Sequence, residues 1–114
     1  MYKVKIGVSG NTSAPCLQVI QSKGFVVSMS THLVSDDVWS AVHDYSAEKD
    51  GLFFNATNLE ELLGLIAMWE HRSDSWHVQH DEVDVYYKLQ DDSPLYDKDG
   101  SLIEQEVVSS QVVF

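Results

Sequence analysis

Residues 58–72 constrain the fold more than any other stretch of this chain. Leu59, Leu62, Leu63, Ile66 and Trp69 recur at i, i+3, i+4, i+7 and i+10, the one-sided stripe of an amphipathic helix. Asn58 stands where an N-cap belongs and Glu61, three residues on, completes a capping-box pattern. Glu60 and Glu61 suit the positive end of the helix dipole, and His71 and Arg72 the negative end. Leu65 and Met68 fall off the stripe. A helix apolar on two sides is either deeply buried or turns its second side to another chain, so Leu65 and Met68 are the candidate oligomer interface and a homodimer is one expected state.

Such a helix needs a second layer to cover its stripe, and the remaining sequence offers strands. Tyr2, Val4, Ile6 and Val8 alternate with Lys3, Lys5 and Gly7, the period of a half-buried strand. Ser13 as N-cap, Pro15 in the first turn and Gly24 as stop predict a short helix through Leu17, Val19 and Ile20. Phe25, Val27, Met29 and Thr31 then predict a second strand, parallel to the first, making an N-terminal βαβ unit. Val38, Ala41, Val42 and Tyr45 also suit a helical spacing, but residues 38–45 are read as a further, irregular strand, and Asp50-Gly51 as the turn into Leu52-Phe53-Phe54. Residues 76–78, and Val83, Val85, Tyr87 and Leu89 alternating with Asp84, Tyr86, Lys88 and Gln90, predict an antiparallel pair. Turns at residues 91–94 and 97–100 precede a last strand over 102–108, and the apolar tail 111–114 is expected to cap the core or cross a subunit boundary. The expected architecture is α+β: a single domain over residues 1–114, with one mixed sheet of about five or six strands and two helices packed on one face.

The charge is divided unevenly. Residues 1–35 hold Lys3, Lys5 and Lys23 and no acid, giving +3, whereas residues 36–114 hold all eighteen acids against four basic residues, giving −14 and a net charge of −11. Phosphate partners are bound through Lys and Arg, so neither nucleic acid nor an anionic membrane is an expected ligand. No run approaches the roughly 20 apolar residues of a membrane span and no signal-like apolar stretch follows Met1, so a cytoplasmic location is expected. A lone Cys16 makes neither an internal disulfide nor a thiolate zinc site.

Four constellations carry chemical residue types. Residues 7–13 join the expected first strand to the helix start, where backbone N–H groups and hydroxyls can hold an anion. Ser9-Gly10-Asn11-Thr12 resembles the hydroxyl-Gly-Asn-Thr phosphate loop of flavodoxins, a resemblance that would make Ser9, Asn11, Thr12 and Ser13 contacts for an FMN phosphate. It covers only that loop, and the strand-rich second half departs from the flavodoxin alternation of strands and helices; no cofactor is expected. His71, His77 and His80, with Glu70, Asp81 and Glu82, have ligand chemistry without a zinc spacing, because His77 and His80 have opposite strand parity; no metal is expected. Asp97, Asp99, Gly100, Leu102 and Glu106 match part of an EF-hand loop, but Leu95 stands at its first ligand position, so an acidic hairpin turn is the expected structure. Cys16 near a helix start, with His32 or His43 as a base, has the types of a thiol nucleophile, and an inert core cysteine is the expected state.

With no catalytic set, charge asymmetry and the doubly apolar helix point to a non-enzymatic protein-binding module. Trp76, Asp81, Glu82, Asp84, Tyr86, Asp91 and Asp92, together with Tyr87, are the expected contacts for a partner with a basic surface. Bacterial immunity proteins, small acidic inhibitors of basic toxins, are similar in this general physical profile. Two alternatives are a small-ligand or phosphate-binding domain using residues 9–13, and a homo-oligomeric bacterial protein whose binding surface is for itself.

Overall fold

The computed structural model describes residues 1–36 and 40–104. Chain contacts divide it into two compact units, Met1–Trp76 and His77–Phe114.

The first unit runs α1 (Ser13–Ser22), β1 (Val26–Leu33), β2 (Ala41–Lys49), β3 (Leu52–Ala56) and α2 (Leu59–Arg72), with a 3-10 turn at Ser73–Ser75. The sheet order is β1-β2-β3 and both pairings are antiparallel. Asp50 and Gly51 link β2 to β3 in a two-residue loop with φ of 49° and 81°. Two consecutive positive φ values match the right-handed strand twist, and an Asp-Gly pair supplies them at low steric cost.

Register decides the core. Val27 lies opposite Ala47, and Ala47 opposite Phe54, so one face of the sheet collects Val27, Tyr45, Ala47, Phe54 and Ala56. Against that face pack Ile20 of α1 and Leu59, Leu62 and Ile66 of α2, with Phe25 in edge-to-face contact with Phe54 at 5.8 Å. The small Ala47 at the centre of the sheet is fully covered. Asn58 caps α2 as its sequence predicts: its Oδ1 accepts from the Glu61 N–H at 2.8 Å, and its Nδ2 donates to Glu61 Oε1 at 2.8 Å. The Lys49 ammonium donates to the Lys23 carbonyl at the end of α1 and lies 5.3 Å from the Phe25 ring centre. It thereby ties β2 to the negative end of α1.

The second unit contains α3 (His80–Asp91) and a short antiparallel hairpin of β4 (Leu95–Tyr96) and β5 (Leu102–Ile103). Glu82 accepts from the Gln79 N–H at 2.6 Å, and Asp81 and Glu82 stand in the first turn with Lys88 in the last. Asp97 Oδ1 accepts from the N–H groups of Asp99 and Ser101 and closes the hairpin turn, with Gly100 at φ 86°. This is the acidic turn expected there; Glu106 of the EF-hand pattern and the tail 111–114 lie outside the described residues.

These observations correct the expected architecture. Among the described residues there are three α-helices and two sheets, of three and two strands, in place of one mixed sheet of five or six strands with two helices. Residues 2–8 form no strand, so there is no N-terminal βαβ unit, and β1 instead pairs along its whole length, Val26 to Leu33, with β2. A parallel neighbour would have needed a crossover, whereas an antiparallel hairpin reaches β2 directly. The stretch read as an alternating strand at residues 83–89 is α3. Its period-2 apolar pattern was outweighed by local helix signals at its start, Glu82 bonding back to Gln79 and Asp81 and Glu82 standing at the positive end of the dipole. Residues 76–78 are likewise not a strand.

Candidate functional site

α3 buries none of its residues, which sets it apart from α1 and α2. At 3.6 residues per turn, Asp81, Asp84, Lys88, Asp91 and the C-cap Asp92 fall along one stripe. Lys88 is engaged internally, its ammonium 2.8 Å from Asp92 Oδ2, and Asp92 holds its pKa above the ordinary lysine range. Residues 80–92 carry five acids against one lysine, a local charge of −4. Glu82 stands about a quarter-turn round from Asp81, and its carboxylate is committed to the helix start.

Helical geometry regroups the residues nominated from sequence. Asp81, Asp84, Asp91 and Asp92 come together. Tyr86 does not join them: it lies on the opposite side of the helix, its ring 5.9 Å from that of Tyr87, and its hydroxyl accepts from Gln90 Nε2 at 3.1 Å. Two residues not nominated, Val85 and Leu89, border the acidic stripe and are each 70% exposed. A helical wheel over residues 80–91 would have found them; reading the segment as a strand placed them with Tyr87. Trp76 belongs to the first unit, not to α3.

In the first unit, Leu65 and Met68 of α2 are half-buried. With Phe54, Trp69 and Trp76 they line a cavity of about 310 Å³ that runs along β3 from Gly51 to Asn55. Trp69, assigned to the core stripe by periodicity, is one of its walls.

The loop at residues 9–13 folds around a carboxylate of its own chain. Glu60 Oε2 accepts from the hydroxyl of Thr12 at 2.6 Å and from that of Ser13 at 2.9 Å, while Ser9 Oγ accepts from the Asn11 N–H. Those hydrogen bonds, Thr12's foremost, hold the Glu60 pKa below the ordinary glutamate value. The N-cap of α1 is Thr12, one residue before the expected Ser13. A phosphate approaching Ser9, Asn11, Thr12 and Ser13 would meet an ionised glutamate at the place an anion should occupy.

Cys16 lies one helical turn after Thr12, its N–H donating to the Thr12 carbonyl at 3.1 Å. Burial first, and then the negative charge of Glu60, push its thiol pKa up, opposite to what a thiolate nucleophile requires. His32 and His43 hydrogen-bond to Ser30 and Thr31 on the β1–β2 hairpin. Among the described residues no three His, Cys, Asp or Glu side chains converge as metal ligands, and Glu70 is bound to Lys23 at 2.9 Å. Among the same residues no helix is long and apolar enough to cross a membrane.

No protein-family model matches this chain, and no curated protein or solved structure is detectably similar to it.

Proposed function

We propose that this chain is a non-enzymatic protein-binding module whose contact element is α3, presented to a partner with a basic surface. The observation that carries the reading is the alignment of Asp81, Asp84, Asp91 and Asp92 on one side of a helix with no buried residue. A helix that contributes nothing to a core is free to be used as a ligand. Carboxylates in one row give a directional field that speeds encounter and orients docking, and Val85 and Leu89 beside them supply apolar area to be buried on contact. A cytoplasmic inhibitor of a basic protein, similar in profile to an immunity protein, is the concrete form of this proposal.

The test is affinity capture from the native cell with the tagged chain, followed by titration of the captured protein in purified form. Asp84→Lys with Asp91→Lys should weaken binding by roughly tenfold or more, and raised salt should weaken wild-type binding in the same direction. Asp36→Lys, a single charge reversal on an exposed acid of the first unit, should leave the affinity within about twofold. Equal loss from Asp36→Lys, or binding indifferent to both salt and the double reversal, would refute the role of α3.

A further inference from the structure

We propose that residues 2–8 of one copy of this chain add as a strand to the outer edge of β3 in a second copy, closing the apolar groove beneath that edge. Two unsatisfied features of the first unit fit one another. The first is the segment itself. Tyr2, Val4, Ile6 and Val8 stand on one side of an alternating sequence, and they are 82%, 71%, 79% and 80% exposed, with no strand partner among the described residues. Four large apolar side chains at strand spacing in solvent make an unpaired strand and an association hazard.

The second feature is β3. It is an edge strand, bonded to β2 on one side, and among the described residues nothing pairs with its other side. That free side borders the groove formed with Leu65, Met68, Trp69 and Trp76. A strand laid there would place alternate side chains on the same face as Leu52, Phe54 and Ala56, above the apolar wall of α2. Seven extended residues span about 23 Å, enough to cover a five-residue edge of about 17 Å.

Charge selects the other face and the partner. With Tyr2, Val4, Ile6 and Val8 turned to the groove, Lys3 and Lys5 fall on the outer face of the sheet, which carries Asp44 and Glu48 of β2. The donor segment belongs to the acid-free +3 part of the chain, and the receiving strand β3 and its neighbour β2 to the acidic part, so the exchange joins opposite charges between two molecules that are each −11. Within one copy the segment leaves its own groove open. The loop after it is fastened at the start of α2 by Thr12 and Ser13 to Glu60. Reciprocal donation between two copies satisfies both segments and both edges in a closed twofold assembly.

Light scattering on the full chain should give twice the chain mass, and Ile6→Asp, at a position exposed in the isolated copy, should give the single-chain mass with the helical signal of the far-ultraviolet circular dichroism spectrum retained. In a Cys16→Ser background, chains carrying Lys5→Cys mixed with chains carrying Phe53→Cys should yield a covalent heterodimer with a short bismaleimide. Three outcomes would overturn the proposal. They are single-chain mass for the wild type across the accessible concentration range, a dimer that survives Ile6→Asp, and a Lys5→Cys, Phe53→Cys double variant that crosslinks only within one chain.

Discussion

Leu62→Ala should be among the most destabilising single truncations in this chain, because Leu62 is fully buried at the meeting of α2 with the sheet. Removing three carbons forfeits about 2.4 kcal/mol at roughly 0.8 kcal/mol per buried group. Ile20, Ile66 and Ala47, all fully covered, surround one core, and neighbours on two helices and a sheet cannot all collapse into the gap. A residual void of about 40 Å³ adds about 1 kcal/mol at roughly 24 cal/mol per Å³, for a total near 3 to 4 kcal/mol. Val85→Ala is the matched control: Val85 is 70% exposed on α3, and alanine is the better helix former, so its cost should lie within about 0.5 kcal/mol of zero. Urea unfolding followed by far-ultraviolet circular dichroism measures both. A loss below about 1 kcal/mol for Leu62→Ala, or an equal loss for Val85→Ala, would refute the placement of the core in the first unit and of α3 outside it.

Other expectations follow from particular contacts. Gly51→Ala should cost about 1 kcal/mol, because Gly51 has φ 81° in the β2–β3 turn. Ser73→Gly should instead stabilise by up to about 1 kcal/mol, since Ser73 holds φ 51° where glycine is favoured; thermal melts read both. The lowered Glu60 pKa makes the carboxylate's contribution to stability fully present above the ordinary value of 4.5 and lost as pH falls through its folded-state value, so Glu60→Gln should flatten the acid limb of a stability–pH curve; an unchanged limb would contradict the hydrogen bonds from Thr12 and Ser13. Cys16 should alkylate more slowly than an unstructured cysteine peptide at neutral pH, and faster in Glu60→Gln than in wild type, as measured by mass spectrometry.

The elements legible in the sequence were those whose local signals and burial agree. α2 was readable because cap, dipole charges and apolar stripe coincide, and the β2–β3 hairpin because Asp50-Gly51 has turn chemistry that few other conformations need. Residues 83–89 misled because valines and tyrosines alternate there, as in a strand, while the deciding bond lies upstream at Gln79 and Glu82. The error passed directly into the site: strand parity joined Asp84 with Tyr86, whereas helical geometry separates them and sets Val85 and Leu89 beside the acids. Residues 2–8 have a strand's pattern but no strand partner among the described residues, and pattern alone cannot reveal whether an edge is available. The contact of Thr12 and Ser13 with Glu60 spans more than forty positions and has no local signature.

The role of α3 is tested most directly by amide hydrogen exchange on the complex with the captured partner. The account predicts slowed exchange concentrated in residues 80–92, diminished by Asp84→Lys with Asp91→Lys. Protection confined to the first unit, with α3 exchanging as fast as in the free chain, would contradict it.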